Sequence, residues 1–265
     1  MDYLRKIPFL VLSFLKMQEN FVIHPEYSQI ATKLMDVLHN FSKKGEYVTK
    51  GERNVIKMVK IEGNSLNIKK FKTPNAFQSL VYQYLRESKA KRSFEYASKL
   101  IDFGIKTPFP VAYFEIFSGG LKESFYVSEH VNYDFDFREL IHNPRFKKRN
   151  EILRQFTKFT FKLHENGINF LDHSPGNTLI MDNGNDNYDF YLIDLNRMRF
   201  ENMSFEKRMH NFRRLWLSKT MIKVMAAEYA QLYGKSYEET HRLMLKHSRA
   251  FQKKINSKKL RRRRR

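Results

Sequence analysis

Cysteine is absent from the sequence. Its absence removes disulfides, thiolate zinc sites and a cysteine nucleophile, and it fits a reducing compartment. Long apolar runs are missing as well. The run IPFLVLSFL, from Ile7 to Leu15, is far shorter than the about 20 residues that a membrane-spanning helix needs. Lys16-Met17-Gln18-Glu19 after it offers no small-residue cleavage site for a signal peptide. The run reads as a docked or interfacial amphipathic segment, unless Met17 opens the chain. No repeat at solenoid periods and no low-complexity linker occurs, which excludes an array architecture. Acidic residues are few: 28 Asp and Glu stand against 49 Lys and Arg, a formal net charge of +21.

That charge is the most unusual bulk property. Between Lys253 and Arg265 the chain carries four lysines, five arginines and no acid; without those nine charges +12 remains on the body. A surface of this sign favours polyanions: nucleic acid, anionic lipid head groups or phosphorylated glycans. No zinc finger or RNP motif supports the first, and no nucleic-acid partner is expected. The basic tail reads equally as a membrane-facing element or as a solvated end. The 265 residues allow one large domain or two smaller ones, and 42% hydrophobic content suffices for a sizeable core.

The texture changes along the chain. VIKMVKI (Val55 to Ile61) and SLNIKKFK (Ser65 to Lys72) are strand-like runs separated by Glu62-Gly63-Asn64, a hairpin signal. From Ala76 to Phe103 the apolar residues Tyr82, Leu85, Ala90, Phe94, Ala97 and Ile101 fall near a 3.6 period, which predicts one helix closed by Gly104. KTPFPVAYFEIF and FYVSEHV follow as strands. Asn150 to Asn166 predicts a helix closed by Gly167, Ile168 to Arg199 a short strand-rich insert, and Ser204 to Phe251 further helix. This is an α+β pattern in two lobes: a β-rich first part with one principal helix, then an α-rich second part. Trp216, with Phe212 and Leu215 nearby, reads as core of the α-rich part.

The densest chemistry lies in GINFLDHSPGNTLI and YDFYLIDLNRM. Asp172 and Asn177 frame His-Ser-Pro-Gly, a strand begins at Asn177, an Asn/Asp/Gly-rich loop from Asp182 to Asp189 predicts a hairpin, and Asp194 closes the second strand. Phosphoryl transfer to a hydroxyl needs a carboxylate near the acceptor. It also needs an amide oxygen and a second carboxylate to hold magnesium on the nucleotide phosphates. Hard oxygen ligands suit that ion. A lone D-x-x-x-x-N is weak, since such clusters are usually turns. Order adds weight: a strand lysine, a helix glutamate (Glu95) and a further strand precede the loop. Lys69 and Lys70 alternate faces of their strand, so only one of them can serve.

With these residues assembled, the chain resembles the lipopolysaccharide kinase family, the Kdo and heptose kinases of the bacterial inner core, in particular its branch in Bacteroidetes-type bacteria. The resemblance runs from about Phe21 to Arg261 and rests on GERNVIK, NIKKFKTPN, SKAKRSFEYA, GIKTPFPVAY, LDHSPGNTLI and YLIDLNRM. It implies a protein-kinase-like fold that uses ATP and Mg²⁺ to phosphorylate a sugar hydroxyl of a lipopolysaccharide or lipid A precursor. It implies that Lys69, the lysine it favours, contacts the α- and β-phosphates and pairs with Glu95. Asp172 would be the catalytic base, Asn177 and Asp194 the metal ligands, and backbone groups of Glu129 and Val131 would meet adenine. Residues 1–20 would be an extension, 21–131 and 132–252 the two lobes, and 253–265 a basic tail. The enzyme would be cytoplasmic, in peripheral contact with the anionic inner-membrane surface.

Departures from the protein-kinase pattern narrow the acceptor. The Gly-rich phosphate loop is missing: the hairpin offers only Gly51 and Arg53 within Lys50-Gly51-Glu52-Arg53-Asn54. Phe170-Leu171 precede Asp172 where a protein kinase has His-Arg, so nothing is present to dock a phosphorylated activation loop. Leu195-Asn196 follow Asp194 with no A-P-E motif, so a peptide platform is missing and a glycan or small-molecule acceptor is favoured. Arg197 reads either as a ligand for an acidic acceptor group or, by preference, as a structural brace for glutamates. The alternatives that stay open are an enzyme with another acceptor, small molecule or protein, and a kinase-like pseudoenzyme acting as a binding module.

Overall fold

A computed structural model of the chain describes residues 17–51, 54–84 and 86–263. The apolar run from Ile7 to Leu15 and the residue Arg53 lie outside the described residues. The chain divides into two compact units, one of Met1–Lys99 with Pro108–Val131, the other of Leu100–Thr107 with Asn132–Arg265.

The first unit contains β1 (Gln18–Ile23), α1 (Ala31–His39), β2 (Glu46–Lys50), β3 (Asn54–Ile61), β4 (Asn64–Phe71), α2 (Ala76–Tyr84), α3 (Lys89–Asp102), β5 (Pro110–Phe117) and β6 (Leu121–Glu129). From Leu100 onward α3 belongs to the second unit. The strands form one sheet in the order β1-β5-β6-β4-β3-β2, with every pair antiparallel. The β3–β4 hairpin turns through Glu62 and Gly63, at φ 48° and 82°. Two successive left-handed residues give the tight turn whose twist matches the strands.

Alternation along the strands splits the packing between two faces. Leu66 and Ile68 of β4, with Phe125 and Val127 of β6, pack under Ile30, Leu34, Leu38 and Phe41 of the α1 region. Phe71, Tyr113 and Tyr126 point the other way, against Ala90 and Phe94 of α3. Lys57 of β3 is only 2% exposed. Its ammonium donates to the carbonyls of Phe41 (2.7 Å), Ser42 (3.1 Å) and Lys44 (2.9 Å), satisfying the turn that follows α1. The charge is tolerated because every donor finds an oxygen and the rings of Phe41 and Tyr47 lie 5.0 and 4.6 Å away.

The single helix expected from Ala76 to Phe103 is two. Ser88 ends the continuity: its Oγ accepts from Lys91 N at 3.1 Å and its carbonyl from Arg92 N at 3.2 Å, so α3 starts afresh behind a serine cap. Asn75 caps α2 in the same way, through Gln78 N at 2.9 Å.

The second unit contains β7 (Phe135–Asp136), α4 (Phe137–His142), α5 (Arg149–Glu165), β8 (Ile168–Phe170), β9 (Thr178–Asp182), β10 (Tyr188–Leu192), β11 (Met198–Phe200), α6 (Phe205–Asn211), α7 (Lys219–Tyr233) and α8 (Tyr237–Arg263). The strands make a small antiparallel sheet, β10-β9-β7, and the separate pair β11-β8. The core joins Phe137, Phe156, Phe190, Met209, Phe212, Met225, Tyr229 and Met244. Leu100–Thr107 joins this unit through its backbone: Leu192 N donates to Lys106 O (3.1 Å) and Thr107 Oγ1 to Leu192 O (2.7 Å). Helix α5 ends at Gly167, φ 67°, as its sequence predicts. The stretch expected as helix from Ser204 to Phe251 is three helices with a 3₁₀ turn, Phe212–Leu215, and α8 runs on to Arg263. That turn ends at Trp216, which is half-buried and meets Phe251 edge to face with ring centroids 6.1 Å apart.

Candidate active site

Within the second unit, β8 delivers the chain to Asp172 and β10 delivers it to Asp194. Two bonds sew these ends together. Asn177 Nδ2 donates to the Asp172 carbonyl at 2.9 Å, and Ile193 N donates to the Asn177 carbonyl at 3.1 Å. A third tie joins the same loops from behind, Leu171 N to Arg197 O at 3.0 Å, where β8 pairs with β11. Asp172, Asn177 and Asp194 are thereby brought to one place. Gly176 leaves room for the Arg138 guanidinium, since a Cβ there would lie 1.8 Å from Arg138 Nη2.

Asp194 holds a left-handed backbone, φ 59°, and its Oδ1 accepts from Asn196 Nδ2 at 2.6 Å. A non-glycine residue kept in that region marks a position where the surroundings impose the geometry. Because Asn177 spends its amide nitrogen on Asp172, its Oδ1 is left as an acceptor. An amide oxygen beside a carboxylate fits a magnesium ion that completes its shell with phosphate oxygens and water. Among the described residues no group of three or more His, Asp and Glu side chains is placed to hold a metal unaided.

The Asp172 carboxylate is 19% exposed and is held by two arginines: Arg214 Nη2 at 2.8 Å from Oδ1, and Arg197 Nη1 at 3.2 Å from Oδ2. Arg197 therefore braces an aspartate, where a glutamate partner was the expectation. Arg214 had no sequence signal at all, because nothing in Arg213-Arg214 marks it as a partner of Asp172.

Asn211, the last residue of α6, anchors the loop from below. Its Nδ2 donates to Asn169 Oδ1 (2.9 Å) and to the Phe170 carbonyl (3.0 Å). Its Oδ1 receives His173 Nδ1 (2.9 Å) and His164 Nε2 (3.3 Å). His164 Nδ1 in turn accepts from the Tyr229 hydroxyl at 2.8 Å. Burial, opposed by the Asn211 bond, brings the pKa of His173 down to about 4 and that of His164 to about 3. Both rings are neutral at pH 7, each donating through one nitrogen. His173 Nε2 is buried without a partner.

In the first unit, Lys69 shares its face of β4 with Phe71, and its ammonium lies 5.2 Å from that ring. This is the face packed on α3, whereas Lys70 faces the other way and pairs with Glu123 at 2.6 Å. Glu95 stands on α3, 3.7 Å from Lys91. Burial and then the Glu87 carboxylate raise its pKa above the usual carboxylate value. Gly51 closes the β2–β3 hairpin through a 3.2 Å bond from its N to Asn54 O. Glu129 N donates to Phe109 O at 2.9 Å, and its carboxylate accepts from the Tyr27 hydroxyl. Val131 is half-buried at the end of this unit.

An antiparallel sheet with helices on one side of the chain's midpoint, followed by a helical unit carrying the Asp–Asn–Asp loop, is an α+β fold of the protein-kinase-like class. The solved structure of WaaP in complex with acyl carrier protein is similar to it, with a TM-score of 0.63 over 88% of this chain and 98% of that one, at 15% identity. A comparison with curated protein sequences gives no match. Residues 43–237 match the Lipopolysaccharide kinase (Kdo/WaaP) family. The chain belongs to that family, and is thus a phosphotransferase of the lipopolysaccharide kinase kind.

Proposed function

We propose that this chain uses ATP and Mg²⁺ to phosphorylate a sugar hydroxyl of the lipopolysaccharide inner core, the acceptor being Kdo on a lipid A precursor or, as the alternative, heptose. The observation that carries the proposal is the Asp172–Asn177–Asp194 stitch, in which one amide and one backbone hydrogen bond tie together the loops that carry these three side chains. Asp172 takes the proton of the acceptor hydroxyl as its oxygen bonds to the γ-phosphorus. The bond from that phosphorus to the β,γ-bridging oxygen breaks, and ADP leaves. Asn177 and Asp194 hold the ion, which when bound neutralises charge on the phosphate oxygens. Lys69 serves the α- and β-phosphates with Glu95 as its partner, and Gly51 serves them from the hairpin. With its N–H spent on Phe109, Glu129 offers adenine its carbonyl, and Val131 offers its N–H.

In this reading residues 21–131 and 132–252 are the two lobes, and the basic body and tail hold the enzyme against an anionic membrane surface. Each Lys or Arg near such a surface contributes roughly 1 kcal/mol. Among the described residues no helix is long and apolar enough to cross a membrane. Incubation with radiolabelled ATP, Mg²⁺ and a Kdo-bearing lipid A precursor tests the reaction. Label should enter the glycolipid with wild type and not with Asp172→Ala or Asp194→Asn. Label in neither, with ATP still bound, moves the reading to another acceptor. Loss of ATP binding in wild type would leave a pseudoenzyme.

A further inference from the structure

Arg197 and Arg214 place two positive charges on one carboxylate. Each guanidinium carries five N–H donors, and among the described residues Asp172 is the only carboxylate paired with either. One unit of positive charge is therefore left over at the base. The two arginines are also built differently. Arg214 sits in the 3₁₀ turn Phe212–Leu215, whose end residues are fully buried. Its guanidinium lies 5.6 Å from the Phe251 ring, its Nε is buried, and its side chain is 30% exposed. Arg197 is 54% exposed on the loop after Asp194.

The arrangement weakens Asp172 as a base as it stands. Each of its oxygens already spends a lone pair on a guanidinium, whose charge lowers its basicity, and taking a proton from a hydroxyl needs an oxygen turned to the acceptor. We propose that Arg197 and Arg214 form the acceptor's anion site. A carboxylate or phosphate on the acceptor sugar replaces Asp172 between the guanidiniums and releases the Asp172 carboxylate toward the hydroxyl. In the free protein Asp172 stands in for the missing anion. Planar, forked donors suit both anions, since each offers two oxygens at the required spacing. The consequence is selectivity: an acceptor without a negative group leaves the base engaged. The proposal rests on the assignment of Asp172 as base.

Equilibrium binding separates the two claims, because it needs no transfer. The probes are Kdo monosaccharide, its methyl ester and a hexose phosphate, titrated by calorimetry against full-length protein. Asp172→Asn removes the negative charge that holds both guanidiniums and should tighten binding of an anionic probe by about tenfold, the size of one charged hydrogen bond. Arg214→Gln and Arg197→Gln should each weaken it by a similar factor, and Arg214→Lys should restore part of the loss. The ester should be indifferent to all four. Kdo against hexose phosphate tells which anion the site takes. Should Asp172→Asn, with an unchanged melting curve, leave anion affinity the same or weaker, the exchange is wrong and the arginines only orient Asp172. Anion exchange without transfer would overturn Kdo as the acceptor and leave the exchange standing; transfer without exchange would sink this proposal alone.

Discussion

A side-chain amide has two N–H groups and two lone pairs, and Asn211 uses all four on the loop before Asp172 and its supports. The two imidazoles it receives stay neutral because both are fully buried, and a second N–H on His173 would face no acceptor. This fixes a sign for the pH response. Unfolded histidine takes up a proton near pH 6.5, while His173 and His164 in the folded chain resist it to about 4 and about 3. Between those values the unfolded state binds more protons, so acidification from pH 6.5 to 4 removes stability, by up to about 1.4 kcal/mol per pH unit for each ring. Above pH 6.5 the contribution is complete. Urea midpoints at pH 7.0, 5.5 and 4.5 should show this decline. In His173→Phe the decline should lose one ring's share, and an unaltered slope would place the acid sensitivity elsewhere. The spacing of Asp172, Asn177 and Asp194 is legible in the sequence because short local segments carry it. Arg214 and Asn211 reach the same loop only through tertiary packing, and no local pattern announces them.

At the scale of elements, α3 shows where periodicity misleads. The apolar residues from Tyr82 to Ile101 keep a helical rhythm in the sequence straight across the break, so periodicity alone does not reveal it. What interrupts the chain is a serine, 1% exposed, whose hydroxyl finds the first turn of α3. Ser88→Ala should cost about 1 kcal/mol of stability, as loss of an N-cap does, read from chemical denaturation. A change below a few tenths would mean the cap is dispensable. The β3–β4 hairpin was legible because Glu62-Gly63-Asn64 is local turn chemistry between two strand-like runs. Alternation alone leaves Lys69 and Lys70 equivalent; the helix packed on one face of β4 shows which of the two faces α3.

For the molecule as a whole, charge is the property that composition announces most plainly, and the structure shows how part of it is presented. Helix α8 carries Lys253, Lys254, Lys258, Lys259, Arg261 and Arg262 on exposed positions. Truncation after Gln252 takes away nine of the 21 net positive charges. Binding to vesicles containing anionic phospholipid should then fall at least about tenfold at 0.1 M salt, with wild-type binding itself weakening as salt rises. Equal binding by the truncated chain would assign the attraction to the +12 body. The two-unit division was visible as a change of texture, but the membership of Leu100–Thr107 was not. That segment lies in the earlier part of the chain and joins the later part through bonds to Leu192.

The burial of Lys57 has a chemical corollary. A chain this rich in lysine offers amine-reactive reagents many targets, yet at 2% exposure the Lys57 nitrogen cannot be approached while the turn after α1 stays closed over it. Its acylation would be slow against the rapid labelling of its neighbours, and its rate would be set by how often the first unit opens. Lys57 is a built-in clock for that opening, readable by mass spectrometry without any mutation.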